Sequence, residues 1–156
     1  MKTRSSTSHN KSALPEYAKK RRPSRMATVT KHLRFPVPAA DLWAIVGNVT
    51  RIDWVPVITS CTLDGDVRSM EMAGVGTVQE RIYKRDADAM VLEYGLINRP
   101  AVALHKASLQ VLAIDEHNCE LRWSTQIEPD ALQPLIEGGM QSAMDALVKL
   151  VRPTTW

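Results

Sequence analysis

The chain has 156 residues, 44% of them hydrophobic and 24% charged, the balance of one compact, water-exposed domain. No run approaches the roughly 18 consecutive apolar residues that a membrane-spanning helix needs, which excludes that class. The formal net charge of +3 is unevenly spread: residues 1–25 carry 8 Lys/Arg against one acid, Glu16, leaving 12 basic and 16 acidic residues in 26–156.

The basic charge therefore belongs to an N-terminal segment, and the remainder has no basic face suited to specific nucleic-acid binding. Residues 1–25 are rich in Ser, Lys and Arg and poor in apolar side chains, so they are expected to form a disordered tail ahead of a domain over 26–156. The run Lys19-Lys20-Arg21-Arg22 suits phosphate or anionic lipid, or a targeting address. The competing readings are a solvated extension and a start upstream of Met26. Cys61 and Cys119 are too few for a disulfide framework, and His9, His32, His105 and His117 are scattered, so neither a disulfide scaffold nor a metal site is expected. With no apolar core of a signal peptide, the expected setting is a reducing cytoplasm.

From Thr28 the chain alternates as a half-buried strand, with Val29, Leu33 and Phe35 on one face and Thr30, His32 and Arg34 on the other. Lys31 interrupts the apolar face, as an edge strand allows. Pro36 and Pro38 stop the strand and Pro38 opens a helix, whose stripe Leu42, Ile45 and Val46 ends at Gly47-Asn48. A second short helical turn is predicted over Arg51–Trp54, before Pro56.

A meander of strands follows, predicted over Ile58–Leu63, Arg68–Ala73, Thr77–Lys84, Met90–Ile97, Val102–Ile114 and Cys119–Ile127, each separated by a compact polar turn. Leu132, Leu135, Ile136, Met140, Ala143, Met144, Leu147, Val148 and Val151 then recur at three- and four-residue steps, the mark of one long amphipathic helix closed by Pro153. Within it, Gly138-Gly139 predicts a bend or a close approach by a ligand or the sheet. The fold class is α+β: about seven antiparallel strands in a curved sheet, two short helices after the first strand, and a long C-terminal helix across the sheet. One helix is too narrow to fill a strongly curved sheet, so a cavity between them is expected.

Four segments carry a family resemblance: Pro38-Ala39-Ala40-Asp41-Leu42-Trp43, Ile52-Asp53-Trp54-Val55-Pro56, Gly76-Thr77-Val78-Gln79-Glu80-Arg81 and Trp123-Ser124-Thr125. With them the chain from about Val29 to Val151 resembles the START-like (SRPBCC) helix-grip superfamily, in its polyketide cyclase/dehydrase branch. The resemblance implies a helix-grip fold around a small-molecule pocket, in a superfamily that includes cyclases, dehydratases and lipid and hormone carriers. Many relatives have His after the second-segment Trp. This chain has Val55 there, so chemistry assigned to that His does not carry over.

Strand parity selects the residues facing such a pocket. His105 shares a face with Ala103, Ala107, Leu109, Val111 and Ala113, and Trp123 shares one with Cys119, Leu121, Thr125 and Ile127. Tyr94 falls with Met90, Leu92 and Leu96, and Glu80 with Val78 and Ile82. With the turn after the fourth strand centred on Ala87, Glu80 lies opposite Tyr94. With the next loop centred between Arg99 and Pro100, Tyr94 lies opposite His105. Trp54 is expected at the pocket mouth, and Met70, Met72, Met140 and Met144 in the core, the last two lining the pocket. Arg81, Glu93, Glu120 and Arg122 are expected in cross-strand ion pairs on the outer face.

The leading functional reading is binding of a small hydrophobic ligand, aromatic, polyketide-like or lipid-like, by Trp54, Tyr94, His105, Trp123, Met140 and Met144. The alternative is a cyclase or dehydratase without metal or nucleotide cofactor. In it Glu80 and His105 act as acid and base on a proton α to a carbonyl, each weighed against a structural role in the core. A third reading is a ligand-sensing adaptor docked through its basic tail.

Overall fold

A computed structural model of the protein describes residues 25–151. The tail expected over 1–25 lies outside these residues except for Arg25, as do residues 152–156. Strand β1 (Ala27–Phe35) leads into helix α1 (Ala39–Val46). Strands β2 (Ile58–Asp64), β3 (Val67–Met72), β4 (Gly76–Asp86), β5 (Val91–Leu96), β6 (Leu104–Ala113) and β7 (Cys119–Glu128) follow. A 3-10 turn over Asp130–Leu132 then enters the long helix α2 (Gln133–Val151). The second short helix expected over Arg51–Trp54 is not formed. That stretch is an irregular turn, because Arg51 bonds Asp53 through its side chain and Pro56 stops any helix from continuing.

All seven strands form one antiparallel sheet in the order β1-β7-β6-β5-β4-β3-β2, so the long excursion of the chain brings β7 back beside β1. The alternation of β7 holds throughout: Cys119, Leu121, Trp123, Thr125 and Ile127 are all buried. Helix α1 buries Ala39, Leu42, Trp43 and Val46, and α2 buries Met140, Ala143, Met144 and Leu147, the three- and four-residue spacing of one helical face. Both faces join Phe35, Leu92, Tyr94, Leu109, Leu121 and Trp123 in one core cluster. A smaller cluster of Ile58, Met70 and Val78 sits toward the β2 edge.

In the first turns of α2 Ile136 packs against this core while the residues around it are exposed. Leu135 is 72% exposed, and nothing lies within 4 Å of a Cβ built on Gly138 or Gly139. The sheet does not make the close approach expected at the glycine pair; the helix continues through it, past Glu137, whose carboxylate meets the Lys31 ammonium of the edge strand at 3.4 Å. On the outer face Arg81 pairs with Asp66 at 2.8 Å, and Arg122 bonds Glu120 along its own strand, not across strands.

Register decides which side chains share the concave face. The turn between β4 and β5 takes four residues, 87–90, where three were expected. Asp86 Oδ1 accepts the Asp88 and Ala89 backbone N–H groups, and Met90 is left-handed at φ 54°. Carried on unbroken, that longer turn would have put Arg81 inside and Glu80 outside. A β-bulge between Ile82 and Lys84 inserts Tyr83 as an unpaired residue and restores the phase. Glu80 consequently pairs with Leu96 and Ile82 with Tyr94, and Tyr94 pairs with Ala107. The expected pairings Glu80–Tyr94 and Tyr94–His105 are therefore each displaced by two residues, a shift that leaves Glu80, Tyr94 and His105 on their expected face.

Candidate functional site

The concave face carries an aromatic group and a polar group side by side. Trp54, in the loop after α1, packs edge-to-face on Trp123 of β7, with ring centroids 5.6 Å apart and planes at 61°. Trp123 Nε1–H donates to the Tyr94 hydroxyl at 3.2 Å. Trp54 was expected at a pocket mouth; it is buried, 6% exposed, and among the described residues its Nε1–H has no hydrogen-bond partner. Met140 and Met144 of α2 complete the same apolar cluster.

The polar group is built around Arg68, which sequence reading did not single out. Its parity with Met70 on β3 was the available signal. Arg68 pairs with Glu80 across the β3–β4 ladder. Its Nε donates to Glu80 Oε1 at 2.9 Å and its Nη2 lies 2.8 Å from the same oxygen. No described residue bonds Glu80 Oε2. Arg68 Nη1 donates to the Val49 carbonyl at 3.0 Å, and its guanidinium carbon lies 4.7 Å from the Tyr94 ring centroid, a cation–π contact. The Cys61 thiol, pushed up in pKa by burial, also reaches the Val49 carbonyl, at 3.7 Å. One arginine therefore ties the loop that carries Trp54 to β3, β4 and β5.

A second arginine does the same at the start of that loop. Past the Tyr83 bulge the phase of β4 is reversed, so Arg85 faces inward. Its Nε donates to the Gly47 carbonyl at 2.7 Å and its guanidinium lies 5.2 Å from the Trp43 ring. A cation at the C-terminal end of α1 is favoured by the helix dipole as well as by the hydrogen bond.

His105 faces inward on β6, its ring centroid 6.3 Å from that of Tyr94. Its Nδ1 accepts the backbone N–H of Leu96 at 3.2 Å, which places the ring proton on Nε2 in the neutral form. Burial is the main cause of a lowered His105 pKa, opposed by the nearby Glu80 carboxylate and assisted by the Arg68 charge. This arrangement needs glycine at position 95. A Cβ there would run into the His105 carbonyl oxygen, and the close backbone approach brings Leu96 within reach of the imidazole. Burial also drives the Tyr94 hydroxyl pKa well up, so it stays protonated.

The structure thus brings together Glu80, Tyr94, His105, Trp54, Trp123, Met140 and Met144 in one region and adds Arg68. Glu80 and His105 do not hydrogen-bond one another; the carboxylate faces arginine and the imidazole faces the backbone of β5. Among the described residues no group of three or more His, Cys, Asp or Glu side chains is placed to hold a metal ion, and no helix is long and apolar enough to cross a membrane.

A family model described as polyketide cyclase / dehydrase and lipid transport matches residues 26–152. A protein of known structure from Bacillus thuringiensis is 21% identical, with a TM-score of 0.74 over 80% of this chain and 98% of its own. An aromatase/cyclase from Streptomyces sp. R1128 is 15% identical, with a TM-score of 0.71 over 81% of this chain and 94% of its own. Norcoclaurine synthase from Thalictrum flavum, solved with dopamine and hydroxybenzaldehyde, is 18% identical, with a TM-score of 0.66 over 82% of this chain and 87% of its own. At these identities the structures share the fold with this chain. Among curated proteins, none matches.

Proposed function

Because the chain belongs to the polyketide cyclase/dehydrase and lipid transport family, we propose that it binds a small hydrophobic ligand, aromatic or polyketide-like, between the concave face of the sheet and α2. The observation that carries this reading is the pairing of an aromatic wall with a single polar end. Trp54, Trp123 and Tyr94 adjoin two methionines whose unbranched side chains adapt to different shapes, while Arg68, Glu80 and His105 stand beside them. The fold shared with two enzymes that handle aromatic molecules is consistent with it. Free thiols at Cys61 and Cys119 suit a reducing, cytoplasmic setting, and the acidic balance of residues 26–156 speaks against specific nucleic-acid binding by the domain. The test is native mass spectrometry for a co-purified ligand, followed by thermal unfolding against a diverse aromatic and lipid panel. A binder at 100 times its Kd stabilises by about 2.7 kcal/mol. A panel without any shift would overturn the reading.

A second reading is favoured by one specific feature, the coexistence of an unbonded carboxylate oxygen and a neutral imidazole. Glu80 Oε2 carries free lone pairs and His105 carries its proton on Nε2. Glu80 then removes a proton α to a carbonyl while His105 donates to the oxygen, the steps of an aldol-type cyclisation and dehydration. This reading requires Glu80→Gln and His105→Ala each to abolish turnover of a polyketide-like substrate while ligand binding persists. Unchanged rates in both variants would remove it.

A further inference from the structure

Two indole N–H groups come together where Trp54 packs on Trp123, and only one is satisfied. Trp123 donates to Tyr94, whereas Trp54 Nε1–H has no partner among the described residues despite being sealed from solvent. More than nine in ten buried polar groups are paired, and leaving one unpaired costs on the order of 1–3 kcal/mol. A phenylalanine would fill most of the same space without that cost, so the indole nitrogen is unexplained by packing. Nearby, the Tyr94 hydroxyl accepts from Trp123 and keeps its own proton, a second donor adjoining the same Trp123 ring. Two donors, the Trp54 indole N–H and the Tyr94 hydroxyl, therefore adjoin the Trp123 ring.

We infer that Trp54 is a specificity-determining residue whose indole N–H donates to an acceptor oxygen, a carbonyl or an ether, on the bound hydrophobic molecule. The inference rests on the ligand-binding reading above and narrows it: the preferred ligands are oxygenated aromatics over hydrocarbons of equal shape. A site built around a donor rejects a ligand that lacks the acceptor, because the donor then stays buried and unpaired. The contact is one of recognition, with no bond made or broken.

The experiment compares 2-acetonaphthone with 2-isopropenylnaphthalene, which replaces the carbonyl oxygen by a methylene group of similar size. Dissociation constants for the full-length protein and for Trp54→Phe are measured by calorimetry. The Trp54 indole N–H resonance, identified by its absence in the variant, is followed by NMR. The expected result is a preference for the ketone of about tenfold in the wild type, the fold-change that corresponds to one buried hydrogen bond. That preference collapses in Trp54→Phe, and the ketone alone moves the Trp54 resonance downfield. Equal affinity for both probes in the wild type, or a preference that survives in Trp54→Phe, overturns the inference and leaves ligand binding standing. A Trp54 resonance unmoved by bound ketone overturns it too, as when a trapped water already satisfies the indole. Failure of both probes to bind the wild type overturns the inference, while the binding reading falls only with the wider panel.

Discussion

Arg68 and Glu80 stand opposite one another on β3 and β4, and their charges meet on the inner face of the sheet, where the two side chains are only 12% and 10% exposed. A pair so placed contributes less as an attraction than it costs to break. Desolvation offsets most of the Coulomb gain, while removal of one partner strands the other charge. What the pair accomplishes here is positional: through its third nitrogen, Arg68 holds Val49 and thereby the loop bearing Trp54.

Glu80→Met and Arg68→Met should each destabilise the domain by about 3–5 kcal/mol, and the double variant should cost less than either one. Urea unfolding of the three variants measures this. Strictly additive losses would show that the two groups do not act as a pair.

The His105 imidazole gives stability a pH dependence of defined sign. Its native pKa is lowered from the ordinary value of 6.5 by burial, so the unfolded chain takes up a proton before the folded one does. The contribution is fully present above about pH 6.5 and is lost as pH falls from there toward the native value. Urea midpoints should decline between about pH 7 and 5, and His105→Gln, which keeps an acceptor for Leu96, should flatten that decline. The carboxylates of Asp53 and Asp115, lowered by their hydrogen bonds, act in a more acidic window and leave this signal separable.

Glycines on β5 and α2 should respond to alanine in opposite directions. At Gly95 a methyl group meets backbone, which cannot swing aside, and Gly95→Ala should cost about 1–3 kcal/mol or more. At Gly138 and Gly139 the added methyl meets nothing, and each change should stabilise by about 0.5–1 kcal/mol through helix propensity. A destabilised Gly139→Ala would mean that this exposed turn of α2 packs on something in solution.

The contacting indoles of Trp54 and Trp123 should also part company. Trp123→Phe removes a satisfied donor and should cost about 1–3 kcal/mol, whereas Trp54→Phe, which removes an unsatisfied one, should be neutral or stabilising in ligand-free protein. Thermal unfolding of both variants, after extraction of any bound lipid or aromatic molecule, tests the contrast. A large loss at Trp54 would reveal a partner for its N–H.

Much of this molecule is written in local pattern. Period-two alternation from Cys119 to Ile127, around His105 and from Met90 to Leu96 was sufficient to place Trp123, His105 and Tyr94 on one face, because side-chain direction along a strand depends only on parity. The three- and four-residue spacing of Met140, Ala143, Met144 and Leu147 likewise identified the buried face of α2. The irregular turn at Arg51–Trp54 was not legible, since four residues before a proline fit a helical turn and a side-chain-bonded loop equally well.

The 156 residues divide their charge between a basic N-terminal segment and an acidic remainder. The order of its elements, the faces of its strands and its family resemblance followed from sequence alone, because each depends on residues close together along the chain. Register and partnership did not. One bulged residue, Tyr83, decides that Glu80 faces inward at all, one glycine lets His105 reach Leu96, and Arg68 claims Glu80 from a neighbouring strand. These are long-range events settled by packing and backbone geometry between strands, and only the tertiary structure could decide which charges, rings and donors meet.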